Sequence, residues 1–275
     1  MALHLNGAPL ESKNAAMVEV RGVELAVTDE GGGPAYFWGH GLSGSMGQDA
    51  KFSMFNWARL AESHRVVRWD ARGHGESSGT EEPDTYRWDN LARDLLALAD
   101  ALGEEQFVAG GVSMGAATAL HAAVLAPERV RGLVLVLAPT AYETRAAQGD
   151  IYRGGAELIE RNGLDAYVAR ANEQPAPAIL GEFADMYHFE PAVSERLLPS
   201  VLRGAGMSDL PSPDAVRSIN VPVLLLPWAT DAGHPVSTSE KLLELLPNAE
   251  MHLAEKLEDV GPWTDRVADF LAKVS

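Results

Sequence analysis

The chain has 275 residues, enough for one sizeable core, and 46% of them are hydrophobic, an ordinary share for a globular protein. It has no cysteine, which excludes disulfides, thiolate metal sites and cysteine nucleophiles. A formal net charge of −17 repels phosphate backbones and argues against nucleic acid, and no apolar run is long enough to span a membrane.

Residues 1–16 lack a basic region followed by an apolar stretch, so they read as an N-terminal arm and not as a signal peptide. The expected location is the cytoplasm. MVEVRG and VELAVTDEG predict two strands around a turn at Arg21–Gly22. PAYFWGHG and HRVVRWD are further strand candidates, ending near Gly41 and Asp70. In YRWDNLARDLLALADALG, Leu91, Leu95, Leu96, Leu98 and Leu102 recur at helical spacing until Gly103 stops the run. QFVAGGVS predicts a buried strand, MGAATALHAAVLAPE a small-residue helix, and RGLVLVLAP a central parallel strand. From 142 to 218 the strands disappear. GGAELIERNGLDAYVARANE, AILGEFADMYHF and AVSERLLPSVLRGAGM predict helical fragments. VPVLLL, TSEKLLELL, AEMHLA and WTDRVADFLAKV then restore the strand–helix alternation.

This order predicts an α/β fold, a mostly parallel sheet flanked by helices and interrupted by a helical insertion. The expected core is 17–141 with 219–275, and 142–218 form a cap. Ligands bind beyond the carboxyl ends of such strands, where the cap would roof them.

The sharpest motif is Gly111-Val-Ser-Met-Gly115, at the join of a buried strand and a small-residue helix. A tight turn there exposes the Ser113 hydroxyl and aims the Met114 N–H at an oxyanion. HGLSGS supplies His40-Gly41 and a second N–H, that of Leu42 or, less favourably, Ser43. His40 reads as a loop-fixing or pocket residue. The turn WDARGHGES reads as scaffold, with Asp70 and Arg72 able to pair.

These motifs and the element order resemble the α/β-hydrolase fold, and the esterase, lactonase and enol-lactonase branch in particular. The resemblance covers about residues 17–273. It implies Ser113 as nucleophile, Leu42 and Met114 as oxyanion donors, and no metal or organic cofactor. Asp231, followed by Pro235, fits the position of the acid, although Trp228 stands where a glycine is usual.

The chain departs from the family in its base. The usual histidine after the last strand is absent, since AEMHLA is followed by EKLEDVGPWTD and His252 lies within the expected strand. A serine hydroxyl still needs a base. His234, three residues after Asp231, is the histidine that the fold brings to the serine. Asp231, Glu258 or Asp259 is then the group expected to hold its second nitrogen. The other arrangement leaves Asp231 a lone carboxylate and His234 a loop-fixing residue. In the cap, Tyr187 and His188 join Trp228 as candidate pocket residues, beside Tyr152, Tyr167, Phe183, Met186 and Phe189 as pocket or glue.

The expectation is a serine hydrolase acting on a small, largely apolar ester or lactone through an acyl-enzyme. A non-hydrolytic lyase or cyclisation enzyme of secondary metabolism, or a non-catalytic ligand-binding protein, is the alternative. The expected partner is a small-molecule substrate, with no nucleic acid and no membrane. The sequence leaves a monomer and a homodimer equally open.

Overall fold

The computed structural model describes residues 15–52, 54–186 and 188–274. Most of the expected N-terminal arm, residues 1–14, lies outside the described residues, as does Tyr187.

Eight strands form one sheet: β1 (Ala16–Val20), β2 (Val23–Glu30), β3 (Ala35–Gly39), β4 (Arg65–Trp69), β5 (Phe107–Val112), β6 (Val130–Val136), β7 (Val223–Leu226) and β8 (Ala249–Met251). Their spatial order is β1-β2-β4-β3-β5-β6-β7-β8. The first two strands pair antiparallel around Arg21 and Gly22, both at positive φ, and β2 runs antiparallel to β4. Every later pairing is parallel. The continuous apolar runs of β3, β5 and β7 are buried along their whole length, as strands covered on both faces must be.

Ten α-helices accompany the sheet among the described residues: α1 (Met46–Phe52), α2 (Trp57–Ala61), α3 (Trp88–Ala101), α4 (Met114–Leu125), α5 (Arg145–Asn162), α6 (Leu164–Asn172), α7 (Leu198–Gly206), α8 (Pro213–Arg217), α9 (Val236–Leu245) and α10 (Trp263–Val274). Alternate strand residues feed two cores. On one face Phe37, Val67 and Phe107 meet Leu91 and Leu95 of α3, the alanines of α4 and Leu242 of α9. On the other, Tyr36, Trp38 and Val134 meet Trp57 of α2 and Trp263, Val267 and Phe270 of α10.

Helices α5 to α7 form the cap, inserted between β6 and β7, with a small core of their own around Ala156, Ile159, Val201 and Leu202. Arg145 pins it to the body. Its guanidinium lies 4.2 Å from the Trp88 ring centroid and donates to the Ser208 carbonyl at 2.6 Å.

The elements differ from expectation in four places. The first cap helix starts at Arg145, well before the periodic stretch at 154. Residues Ala178–Met186 form 3-10 turns broken at Gly181 (φ 51) and not a continuous helix. Within AVSERLLPSVLRGAGM only Leu198–Gly206 is α-helical, with Pro199 in its first turn. Strand β8 ends at Met251, so His252 lies just past it.

Candidate active site

Three glycines bring α4 against the sheet. A Cβ on Gly115 would fall on the Gly39 carbonyl oxygen, and one on Gly111 would meet the Gly115 backbone. Only bare backbone lets helix and strands approach so closely. The turn between β5 and α4 therefore closes on a single residue, Ser113, at φ 55 and ψ −109. That conformation is costly for an L-residue, about 1–3 kcal/mol. It is held by the Ser113 N–H to the Val136 carbonyl (3.0 Å) and by the Ala117 N–H to the Ser113 carbonyl (3.0 Å). Ser43, Leu137 and Thr230 also have positive φ. They follow β3, β6 and β7, so the strain gathers at the carboxyl ends of adjoining strands, around Ser113.

The loop after β7 turns its histidine toward the serine. His234 Nε2 lies 2.8 Å from Ser113 Oγ, and its Nδ1 lies 2.9 Å from Asp231 Oδ2. A carboxylate only accepts, so Nδ1 carries the proton and Nε2 offers its lone pair to the serine hydroxyl. Asp231 Oδ2 also accepts the Trp228 indole N–H at 2.8 Å, and Oδ1 accepts the Gly233 N–H at 2.9 Å. Burial opposes the charge on Asp231. The hydrogen bond and charge of His234, with the Trp228 and Gly233 donors, outweigh it and bring the carboxyl down to about 2. Among the three candidate acids, Asp231 alone holds Nδ1. Asp259 is engaged elsewhere, accepting the Glu255 and Lys256 N–H groups at 3.1 and 3.2 Å.

Gly41 lies against the serine, where an added Cβ would be 3.7 Å from Ser113 Cβ. This brings the Leu42 segment beside the Ser113 turn. Met114 opens α4, and the first N–H groups of a helix have no carbonyl one turn earlier. Asp70 braces the same region, its Oδ1 accepting the Met46 N–H (2.7 Å) and its Oδ2 the Glu76 N–H (3.0 Å). The sequence allowed Asp70 to pair with Arg72. Instead Arg72 binds buried Asp94 of α3 at 2.6 and 2.7 Å, because Asp70 already serves backbone donors.

His40 is buried, and both its nitrogens are engaged. Nδ1–H donates to the Gly41 carbonyl (2.7 Å) and Nε2 accepts the Ala71 N–H (2.9 Å). Burial drives its pKa down to about 4, although the Gly41 bond opposes this, so it is a neutral bracket between two loops. His74 is buried beside it, its Nδ1–H on the Arg72 carbonyl, with its pKa pushed down to about 3 first of all by burial. His121 contacts the Asp209 carbonyl, and His252 lies near Arg266. His188 is exposed on the cap.

Cap residues fall into two groups. Tyr167 and Phe189 meet edge-on at 5.7 Å, and Tyr152 and Tyr167 pack on the cap's own core, so these three are glue. Phe183, Ile179 and Leu180 pack with Val112, Leu137 and Trp228 at the strand ends, as a pocket wall would. Backbone bonds tie the cap to both sides of the site. The Ile179 N–H reaches Thr230 Oγ1 (2.8 Å), and the Ala192 N–H reaches the Ser43 carbonyl (2.7 Å). An open concavity at Asp100, Glu104 and Arg129 lies by the amino end of β5, opposite Ser113. Among the described residues no cluster of three or more His, Asp or Glu side chains is arranged to hold a metal ion, and no helix is long and apolar enough to cross a membrane.

Sequence reasoning missed the indole donor on Asp231, reading Trp228 only as a wall. The spacing Trp-x-x-Asp, within one turn, was the available signal.

The strand order and the tight turn from β5 into α4 are those of the α/β-hydrolase fold. The chain has the alpha/beta hydrolase fold, whose family model matches residues 39–175, and it resembles relatives of the esterase and lactonase branch. It is 26% identical to 3-oxoadipate enol-lactonase 2 of Acinetobacter baylyi over 224 residues, 78% of this chain and 79% of that protein. It is 33% identical over 161 residues, 58% of this chain, to the dihydrolipoyllysine-residue acetyltransferase component of the acetoin cleaving system of Pseudomonas putida, and spans only 41% of that protein. The enol-lactonase from Burkholderia xenovorans LB400 shares the fold at a TM-score of 0.76 and 21% identity, over 94% of this chain and 100% of that one.

Proposed function

We propose that the protein is a serine hydrolase of small, largely apolar carboxylic esters or lactones, working through an acyl-enzyme. The observation that carries this reading is the continuous relay from Ser113 Oγ through His234 to Asp231, at 2.8 and 2.9 Å.

In this reading His234 Nε2 takes the proton from Ser113 Oγ as that oxygen attacks the substrate carbonyl carbon. The N–H groups of Leu42 and Met114 receive the oxyanion. Asp231 keeps Nδ1 protonated and stabilises the imidazolium. His234 then gives its proton to the departing alkoxide; in a lactone the alcohol stays tethered to the acyl group. Water, deprotonated by His234, attacks the acyl carbon and releases the acid and Ser113. The base differs from the family's only in its place in the chain, because its role depends on geometry and not on chain order. The name of the Acinetobacter baylyi relative supports a lactone or ester substrate, and the apolar wall at Ile179, Leu180 and Phe183 supports an apolar one.

The test combines a fluorophosphonate probe with a panel of short p-nitrophenyl esters and aliphatic lactones. The expected result is one label per chain on Ser113, lost in Ser113→Ala, with turnover falling at least about a thousandfold in His234→Ala. Labelling at full rate in Ser113→Ala, or undiminished turnover in His234→Ala, would overturn the reading.

A further inference from the structure

The acyl-transfer reading does not use the indole N–H that Asp231 accepts. The backbone of Trp228 is fixed first. It bridges to Ala254 in parallel fashion, with the Ala254 N–H on the Pro227 carbonyl (2.9 Å) and the Ala229 N–H on the Ala254 carbonyl (2.8 Å). Its ring is half-buried against the pocket-wall cluster. From that base the indole N–H donates to Asp231 Oδ2 at 2.8 Å, the same oxygen that accepts His234 Nδ1–H at 2.9 Å.

The indole N–H groups divide: Trp38 donates to Asp49 Oδ2 at 2.9 Å, as Trp228 does to Asp231. The N–H groups of buried Trp57, Trp69 and Trp88 have no hydrogen-bond partner among the described residues. At 228 a large side chain stands on a rigid strand end and reaches a carboxylate three residues along a turn. The turn itself engages Asp231 only partly: Oδ1 is taken by the Gly233 N–H, and the Asp231 carbonyl accepts the His234 N–H at 3.2 Å. With that anchor alone, the carboxylate is free to rotate about its Cβ–Cγ bond. A second donor on Oδ2, from outside the turn, fixes the plane in which this oxygen faces Nδ1.

We propose that Trp228 is a positioning residue for the acid–base pair, its indole N–H locking Asp231 in the orientation that aims His234 at Ser113. The inference rests on the acyl-transfer reading and deepens it. Trp228 acts through Asp231 and does not touch the reacting atoms. It also takes a share of the carboxylate's charge, so its loss leaves more of that charge to stabilise an imidazolium.

Trp228→Phe keeps an aromatic ring while removing the donor and part of the indole's bulk. On an ester that the wild type hydrolyses, kcat should fall about tenfold with KM nearly unchanged, and the acid limb of kcat/KM should move up by about half a pH unit. A wall residue would instead change KM and leave the limb where it was, and that result overturns the proposal. A second readout needs no turnover and no variant at 228 that folds. In the ¹⁵N–¹H spectrum of the wild type, the chain's six indoles give one signal each. The Trp228 signal, assigned by its loss in Trp228→Phe or by elimination with the other five, should shift in Asp231→Asn and in His234→Ala. An indole signal unmoved by either overturns the proposal. A wild type that hydrolyses no ester or lactone refutes the acyl-transfer reading, while the indole shifts still decide the Trp228–Asp231–His234 chain.

Discussion

Asp231→Asn changes one atom and tests the whole relay. Three donors converge on the two carboxylate oxygens: Trp228 Nε1–H and His234 Nδ1–H on Oδ2, and the Gly233 N–H on Oδ1. An amide has one acceptor oxygen, so neither of its orientations serves all three. With its oxygen at the Oδ2 position, its NH2 opposes the Gly233 N–H across about the same 2.9 Å. Flipped, its NH2 faces both the indole and Nδ1. The imidazole then accepts at Nδ1 and carries its proton on Nε2, the wrong tautomer for taking a proton from Ser113. The first orientation opposes two donors at a cost of about 1–3 kcal/mol. The second opposes the indole but satisfies Nδ1, so the variant populates the inactive tautomer. The expected loss in kcat is about 10⁴-fold, about 5.5 kcal/mol of transition-state stabilisation. The melting temperature should drop by several degrees at most. The assay is kcat for p-nitrophenyl butyrate beside a thermal melt, so that lost activity is not confused with lost fold. A folded variant within tenfold of the wild type would refute the argument that Asp231 sets the tautomer of His234.

Acid should lower stability through two buried histidines, with Asp49, raised by burial to about 6, opposing them in part. His40 has its folded pKa lowered to about 4 against an unfolded value near 6.5, so the folded state binds fewer protons between these values. The stabilisation is complete above about pH 6.5 and is lost as pH falls through 4, about 3 kcal/mol for this group, and His74 acts in the same direction. Urea melts at pH 7.5, 6 and 5 check this, and a flat stability across the range contradicts it. Asp231, lowered to about 2, works over a different window: its contribution is present above about pH 4 and is lost as pH falls through 2. Gly115→Ala should prevent folding or cost more than about 3 kcal/mol, since the new methyl meets the Gly39 backbone, and soluble protein with an unchanged melt would contradict this. Arg72→Met leaves fully buried Asp94 with only the partly exposed Arg21, and should cost about 3–5 kcal/mol in equilibrium unfolding.

Residues that obey a period or a steric rule were legible in the sequence. The leucines of α3 repeat at helical spacing, the apolar runs of β3, β5 and β7 fit strands covered on both faces, and the glycines around Ser113 mark a close approach. The short helices α1, α2 and α8 have too few turns to leave a period. The cap was harder for another reason. Its contacts include irregular ties, the Ile179 N–H to Thr230 Oγ1 and the Ala192 N–H to the Ser43 carbonyl, which follow no period and join residues far apart in the chain. Within the site, the direction of the His234 ring depended on the backbone at Thr230, a non-glycine residue at φ 66, which spacing does not reveal.

The position of His234 follows from the order of the sheet. Strands β5, β6 and β7 are consecutive neighbours, so the loop after β7 starts about 10 Å from the nucleophile's strand, against about 14 Å for the loop after β8. The β7 loop crosses that gap by leaning on the end of β6, where the Thr140 N–H donates to the Gly233 carbonyl at 3.2 Å. This contact lies between the acid and the base in sequence and sets the turn that carries both. A histidine on the β8 loop would have to be matched to its acid across two independent segments. Here the match is local, an i to i+3 pair with Trp228 behind it, and the β8 loop is free to close on itself through Asp259. The consequence is mechanical coupling: one insertion or deletion between Trp228 and Pro235 would misplace Asp231 and His234 together, whereas the same change after β8 would act on them only through the Ala254 bridge to Trp228.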